Sequence, residues 1–103
     1  MNVVTLIGRL TRDPELFYTS GQMAVCKFSI AIDRKKDNKT DYPNITVFGK
    51  PAENCKTYLK KGRLVGIEGS LSTGSYEKDG QTIYTTDVIA DRVEFLDREK
   101  IDF

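Results

Sequence analysis

The sequence predicts an all-β barrel interrupted by one short helix, and three observations carry that prediction. Apolar residues recur with a two-residue period in five separate stretches, as they do in strands with one buried face. One stretch between the third and fourth of these, "KPAENCKTYLKKG", moves to helical spacing. The 103 residues suffice for one core and are too few for two. Five strands with the helix between strands three and four suit a small, partly open Greek-key barrel of the OB type, although other small β barrels share the pattern.

The first strand runs from Val3 to Leu10, a β-branched and apolar stretch in which Gly8 marks a bulge or a close backbone approach. The turn-rich "TRDPE" ends it, and the Phe17-Tyr18 pair that follows reads as a cover for the core. In the long second strand, Ala24, Cys26, Phe28, Ile30 and Ile32 alternate with Val25, Lys27, Ser29, Ala31 and Asp33. A charged loop, "KKDNKTD", leads to the third strand in "DYPNITVFGK", where Ile45 and Val47 point one way and Tyr42, Asn44, Thr46 and Phe48 the other. Pro51 can open a helix because a first-turn residue needs no N–H; Ala52, Cys55 and Leu59 then recur at helical spacing, and Gly62 closes the segment. The fourth strand sets Val65, Ile67, Leu71 and Thr73 against Glu68, Ser70, Ser72, Gly74 and Tyr76, with Gly66 and Gly69 as bends that curl it around a barrel. An Asp-Gly hairpin in "EKDGQ" precedes a fifth strand from Ile83 to Leu96, whose pattern changes phase near Asp91. The expected organisation is one domain over residues 1–97 and a short acidic tail over 98–103.

Composition narrows the chemistry. The chain has no histidine, which removes Ser-His and Cys-His nucleophile pairs, imidazole bases and nearly all zinc sites with nitrogen ligands. "GKPAENCKTYLKKGR" matches neither a phosphate-binding Walker loop nor a dinucleotide fingerprint. The expectation is a protein that is not an enzyme, with no catalytic residues, metal or cofactor. Cys26 and Cys55 lie far apart and fall on apolar faces, which favours buried free thiols over a disulfide or a metal site. No apolar segment approaches the ~20 residues needed to span a bilayer, and the N-terminus lacks the features of a secretory leader, so no membrane role and a cytoplasmic location are expected. Net charge is only +1, but bases bunch at Arg34, Lys35, Lys36 and Lys39 and again at Lys56, Lys60, Lys61 and Arg63. Either cluster alone is compatible with an ordinary solvated surface.

The third strand raises the functional question, because its second face carries aromatics where water alone would ask only for polar groups. With Ile45, Val47, Val65, Ile67, Leu71, Phe28, Ile30 and Ile32 supplying the interior, Tyr42, Phe48 and Tyr76 are left on outer faces of neighbouring strands. Flat rings on a wet β surface are platforms for unpaired bases, worth about 1–3 kcal/mol per base and tolerant of sequence. Lys50 and the loop lysines Lys35, Lys36 and Lys39 can track the phosphates if the loops fold over that face. The alternative is that these rings pack under long loops or in a subunit contact.

These residues resemble the bacterial single-stranded DNA-binding protein family over nearly the whole chain. "LIGRLTRDPELFY" is similar to the family's first strand and following turn, "DYPNITVFGKPAENCKTYLKKGRLVGIEG" to its third strand, helix and fourth strand, and "DGQTIYTTDVIADRVEFL" to its last hairpin. The resemblance implies an OB fold that binds single-stranded DNA without strong sequence preference, in replication, recombination or repair, as a homo-oligomer, usually a tetramer, with a dimer as the alternative. It implies stacking by Phe48, and by Tyr42 and Tyr76 where members often carry tryptophan. Lys50, Lys60 and Lys61 match commonly basic positions; Lys35, Lys36 and Arg9 complete the expected DNA-binding set. It further implies association with the nucleoid.

Departures from the family pattern are also informative. Lys35 and Lys36 stand where the family often has a further aromatic, and Ser72, Gly74 and Ser75 where it often has arginine or lysine, which implies weaker binding and a flatter salt dependence. The family's usual long linker is missing before "LDREKIDF", so Ile101, Asp102 and Phe103 are either an ordinary acidic tail or a directly attached tip that recruits replication or repair proteins. A second reading is an accessory interaction module, akin to short primosomal relatives of the family, in which DNA binding is weaker and protein contacts matter more.

Overall fold

The structure is a computed structural model and describes residues 1–97. The tail expected over 98–103, with Ile101, Asp102 and Phe103 as a recruitment tip, lies outside the described residues. Seven strands and one helix follow in the order β1 Val4–Leu10, β2 Glu15–Tyr18, β3 Ala24–Arg34, β4 Lys39–Asp41, β5 Asn44–Phe48, α1 Lys50–Tyr58, β6 Leu64–Lys78 and β7 Gln81–Phe95.

Five of the strands close into a ring. The order β1-β6-β7-β5-β3 returns to its start where Arg9 pairs with Ala31 and Leu10 with Ile30. All ladders are antiparallel except β5 against β7, the pairing that a helical crossover after β5 permits. This is the expected OB-type barrel, with a correction to the strand count. Two short strands, β2 and β4, add to the five expected, so the helix lies between the fifth and sixth strands of the chain rather than the third and fourth. Both short strands are additions to β3, which at 11 residues is long enough to pair with β2 and β5 near its start and with β4 and β1 near its end.

The core follows the predicted periodicity. Cys26, Phe28, Ile30, Ile45, Val47, Val65 and Ile67 are buried inside the ring. Helix α1 stoppers one end with Ala52 and Cys55, and Leu59 at its C-terminal cap is buried beside them. Each large apolar side chain so buried contributes about 1.5–3 kcal/mol relative to exposure. Cys26 and Cys55 are both free and buried.

Two inward assignments need revision. Leu71 is 48% exposed, because by that point β6 has left the ring and continues with β7 as a projecting hairpin arm. Ile32 is only partly buried, near the open end of the barrel. Conversely, Val25 is buried although it faces outward, for a reason that bears on the site below.

The glycines divide by cause. At Gly69 the ladder skips a residue: Glu68 pairs with Arg92 but Gly69 with Ala90, leaving Asp91 as the extra residue of a bulge. A Cβ at Gly69 would collide with the Ile89 carbonyl, so only glycine fits, and the phase change expected near Asp91 is this bulge. Gly8 keeps continuous register with Val65, but a Cβ there would sit 2.6 Å from the Ala31 carbonyl oxygen, so of the two expected explanations it is the close approach that applies. Gly66 sits in unbroken register with room for a side chain, so the bend expected there is not required. The hairpin turn is Asp79-Gly80, both at positive φ (53° and 77°), as the tight connection between twisted strands demands.

Candidate nucleic-acid interface

Residues directly opposite each other in a ladder share a face, which lets the outer surface be assembled rung by rung. Phe48 is opposite Val25, and Val25 is opposite Phe17, giving a row across β5, β3 and β2. Phe17 and Phe48 are 44% and 43% exposed, and Val25 is buried between them. On the next rung Thr46 is flanked by Lys27 and Ile89, and Lys27 by Glu15. The Lys27 ammonium stands 5.8 Å from the centre of the Phe17 ring, within cation–π reach. Beside this row a polar cleft of about 220 Å³ is lined by Arg12, Glu15, Lys27, Asn44, Thr46 and Asp87.

Tyr76 joins the same face from the arm. It pairs with Ile83, and the unbroken register from Ile83 to Ile89 carries that face back to the rung of Thr46. Ser72 and Gly74 are on this side as well, while Tyr84, 81% exposed, is on the other. Lys50, in the first turn of α1, is exposed two residues beyond Phe48.

Tyr42 lies elsewhere. Simple alternation groups it with Phe48, but the backbone leaves extended pairing at Tyr42 and Pro43, between β4 and β5. The ring, 63% exposed, borders a groove of about 470 Å³ at the open mouth of the barrel, with Val4, Leu6, Ile32, Leu71 and Val88 as its apolar wall. Lys35, Lys36 and Lys39 are exposed in or beside the β3-β4 hairpin turn at this same end. Their neighbour Arg34 is not available in the same way: its Nε donates to Asp41 at 2.6 Å, which also holds its pKa above the ordinary guanidinium value.

The remaining basic candidates are at the opposite end of β1. Arg9 donates from Nη1 to the Gly62 carbonyl at 2.9 Å and to Asp97 Oδ2 at 3.0 Å, and the same carboxylate oxygen accepts from the Leu64 backbone N–H at 2.9 Å. Its charge is thus matched by a structural carboxylate. Lys60 and Lys61 occupy the turn after the helix, where the Lys61 backbone N–H donates to Asp13. The structure therefore groups Phe48, Tyr76 and Lys50, places Tyr42, Lys35 and Lys36 at the mouth, and sets Arg9, Lys60 and Lys61 apart from both.

The sequence reading passed over Phe17 and Lys27. Phe17 and Tyr18 do not act as one cover, because consecutive strand residues point oppositely. Tyr18 turns toward α1 and donates its hydroxyl to Glu53, which raises its pKa, while Phe17 faces outward. The signal was the alternation in "ELFY", legible only once those four residues are recognised as a strand.

The model of the single-strand binding protein family matches residues 1–96. This chain belongs to that family. Among curated family members, it is 45% identical over 103 residues to the single-stranded DNA-binding protein of Oceanobacillus iheyensis, covering 94% of this chain and 64% of that protein. It is 50% identical over 103 residues to that of Clostridium tetani, covering 94% and 71%. It is 44% identical over 108 residues to single-stranded DNA-binding protein 1 of a Staphylococcus aureus strain, covering 99% and 69%. The chain spans about two thirds of the length of these family members. Among the described residues no cluster of side chains suits a metal ion, and no helix is long and apolar enough to cross a membrane.

Proposed function

We propose that this chain, through one OB domain over residues 1–97, binds single-stranded DNA with little sequence preference and shields it during replication, recombination or repair. The observation that carries the reading is Phe48: a ring held 43% exposed on the outer face of a strand whose inner residues, Ile45 and Val47, already fill the core. One side of that ring covers Val25, and the rest is a flat, water-facing surface for a base. Tyr76 continues that surface along the arm, and Tyr42 offers a ring at the mouth. Lys50, Lys35 and Lys36 are the phosphate contacts on this route; Lys60 and Lys61 serve only a strand long enough to pass the helix end, and Arg9 is already balanced by Asp97. The role is binding without catalysis, and the names of the family members support it.

Assembly into a homo-oligomer in the cytoplasm belongs to the same proposal. Among the described residues strand β1 meets β3 only at Arg9 and Leu10 and the residues before them have no strand partner on that side, where Val3 and Ile7 are 65% and 59% exposed.

The test is a titration of intrinsic tyrosine fluorescence with oligo-thymidine at two salt concentrations. Saturable quenching that weakens with salt is expected; absence of quenching, or equal affinity for duplex DNA, overturns the reading. Phe48→Ala should weaken binding about 5-fold or more while leaving the thermal midpoint nearly unchanged. A large fall in midpoint would mean instead that the ring is packed.

A further inference from the structure

Phe17 and Phe48 flank Val25 on the outer face, two strand spacings or about 10 Å apart. If Phe17 were only a lid on Val25, its ring would lie flat over that small side chain and be largely hidden. Instead both rings shield Val25 to 3% exposure while each keeps more than two fifths of its own surface open. The face of Phe17 is not idle either, since the Lys27 ammonium stands over it at 5.8 Å. We propose that Phe17 is a second base-stacking platform in register with Phe48, and that Lys27 is the phosphate contact between the two.

This inference rests on the reading of the chain as a single-stranded DNA binder and extends the route it implies. The strand crosses β5, β3 and β2 from Phe48 to Phe17, rather than ending at β5. Ten ångströms is about three times the ~3.4 Å rise of stacked bases, so one or two nucleotides separate those on the rings and their backbone passes over Val25 and Lys27. An arriving base takes the place of the ammonium on the Phe17 ring, and the flexible lysine stem lets the charge follow to the adjacent phosphate. Arg12 adds a second cation to the cleft that Lys27 also lines, while Glu15, directly opposite Lys27, and Asp87 in the same cleft repel phosphate.

The chain contains no tryptophan, so a Phe17→Trp variant reports from that position alone by indole emission. Saturable quenching by oligo-thymidine, with the midpoint of the wild-type tyrosine titration, is expected. Phe17→Ala should bind roughly 5- to 150-fold more weakly, the equivalent of about 1–3 kcal/mol per stacked base. Lys27→Gln should lower the slope of log affinity against log salt by about 0.7. Because removing the ring exposes Val25, Phe17→Leu serves as the packed control: an affinity as low as that of Phe17→Ala supports stacking, and wild-type affinity overturns it. Indole emission indifferent to saturating oligonucleotide also overturns the inference, and an unchanged salt slope removes Lys27 from it. If the wild type binds and Phe48→Ala weakens it while the Phe17 variants behave as wild type, this inference alone falls; if the wild type does not bind, the underlying reading falls.

Discussion

The helix end and the open mouth of the barrel both tie polar groups to partners, Arg34 to Asp41 and Asn2 to the Leu71 backbone at the mouth, but only the helix end is closed by buried apolar side chains. At the helix end polar groups are matched to specific partners: Asp97 receives both Arg9 and the Leu64 N–H, Asp13 receives the Lys61 N–H, and the Lys56 ammonium donates to the Pro14 carbonyl at 2.9 Å. Ala52, Cys55 and Leu59 close it from above. At the mouth, Tyr42 and Leu71 stand exposed around a groove, and the lysines of the β3-β4 turn extend beyond it. The packed plug is at one end, and the proposed DNA route runs over the other end and the outer face between them.

The same substitution made at each end tests this most directly. Leu59→Ala, at a side chain only 6% exposed, should cost about 2–5 kcal/mol, whereas Leu71→Ala should cost less than about 1 kcal/mol, both read by denaturant unfolding. Equal costs would remove the distinction. Alkaline pH should act on the helix end next. Burial pushes the Cys26 thiol up to about 11 and the Cys55 thiol up to about 12, from an ordinary value of 9.0. The unfolded chain then loses these protons first, so the thiols make no difference below pH 9 and cost stability increasingly as pH rises toward the folded values. The thermal midpoint should fall more steeply above pH 9 in the wild type than in a Cys26→Ala, Cys55→Ala double variant.

Asp97→Ala comes third. It strands the Leu64 N–H and releases Arg9, and because the ion pair is substantially exposed the loss should be about 1–2 kcal/mol, with oligo-thymidine affinity within twofold of wild type. Smallest in stability is Tyr42→Ala, expected within about 0.5 kcal/mol of wild type while weakening oligo-thymidine binding about 5-fold. A Tyr42 variant that unfolds readily but binds normally would reverse the assignment of the mouth.

Much of this was legible because the barrel obeys a strict two-residue period. Cys26, Phe28, Ile30, Ile45, Val47, Val65 and Ile67 can be placed inside from alternation alone, and the disturbance near Asp91 betrays the bulge. Legibility failed where a strand stops obeying the ring. Leu71 has the parity of an interior residue but lies past the point where β6 has β1 as a second neighbour, and Tyr42 has the parity of Phe48 but is separated from it by a break at Pro43. Parity gives direction only while the strand continues. Phe17 is not legible because β2 is four residues long, too short for a period to declare itself; alternation does turn Lys27 outward, but only the pairing of β2 with β3 brings it beside Phe17 and aligns Phe17 with Phe48 through Val25. Arg9 and Lys60 share a charge with Lys50 but not a location, which no linear pattern encodes.

The last ring rung, Leu71 opposite Val88, divides one hairpin into two territories of different mutational freedom. Below it, β6 and β7 supply ring neighbours whose volumes are dictated by the core; beyond Leu71 the β6 side chains are exposed, and only Ile83, Thr85 and Asp87 of β7 are half-buried, by cross-strand neighbours of the arm itself. Substitutions, insertions at Asp79-Gly80 and even exchange of the whole tip should be tolerated by the fold. A lineage could therefore retune how tightly it grips its ligand by rewriting the arm, leaving the barrel sequence untouched.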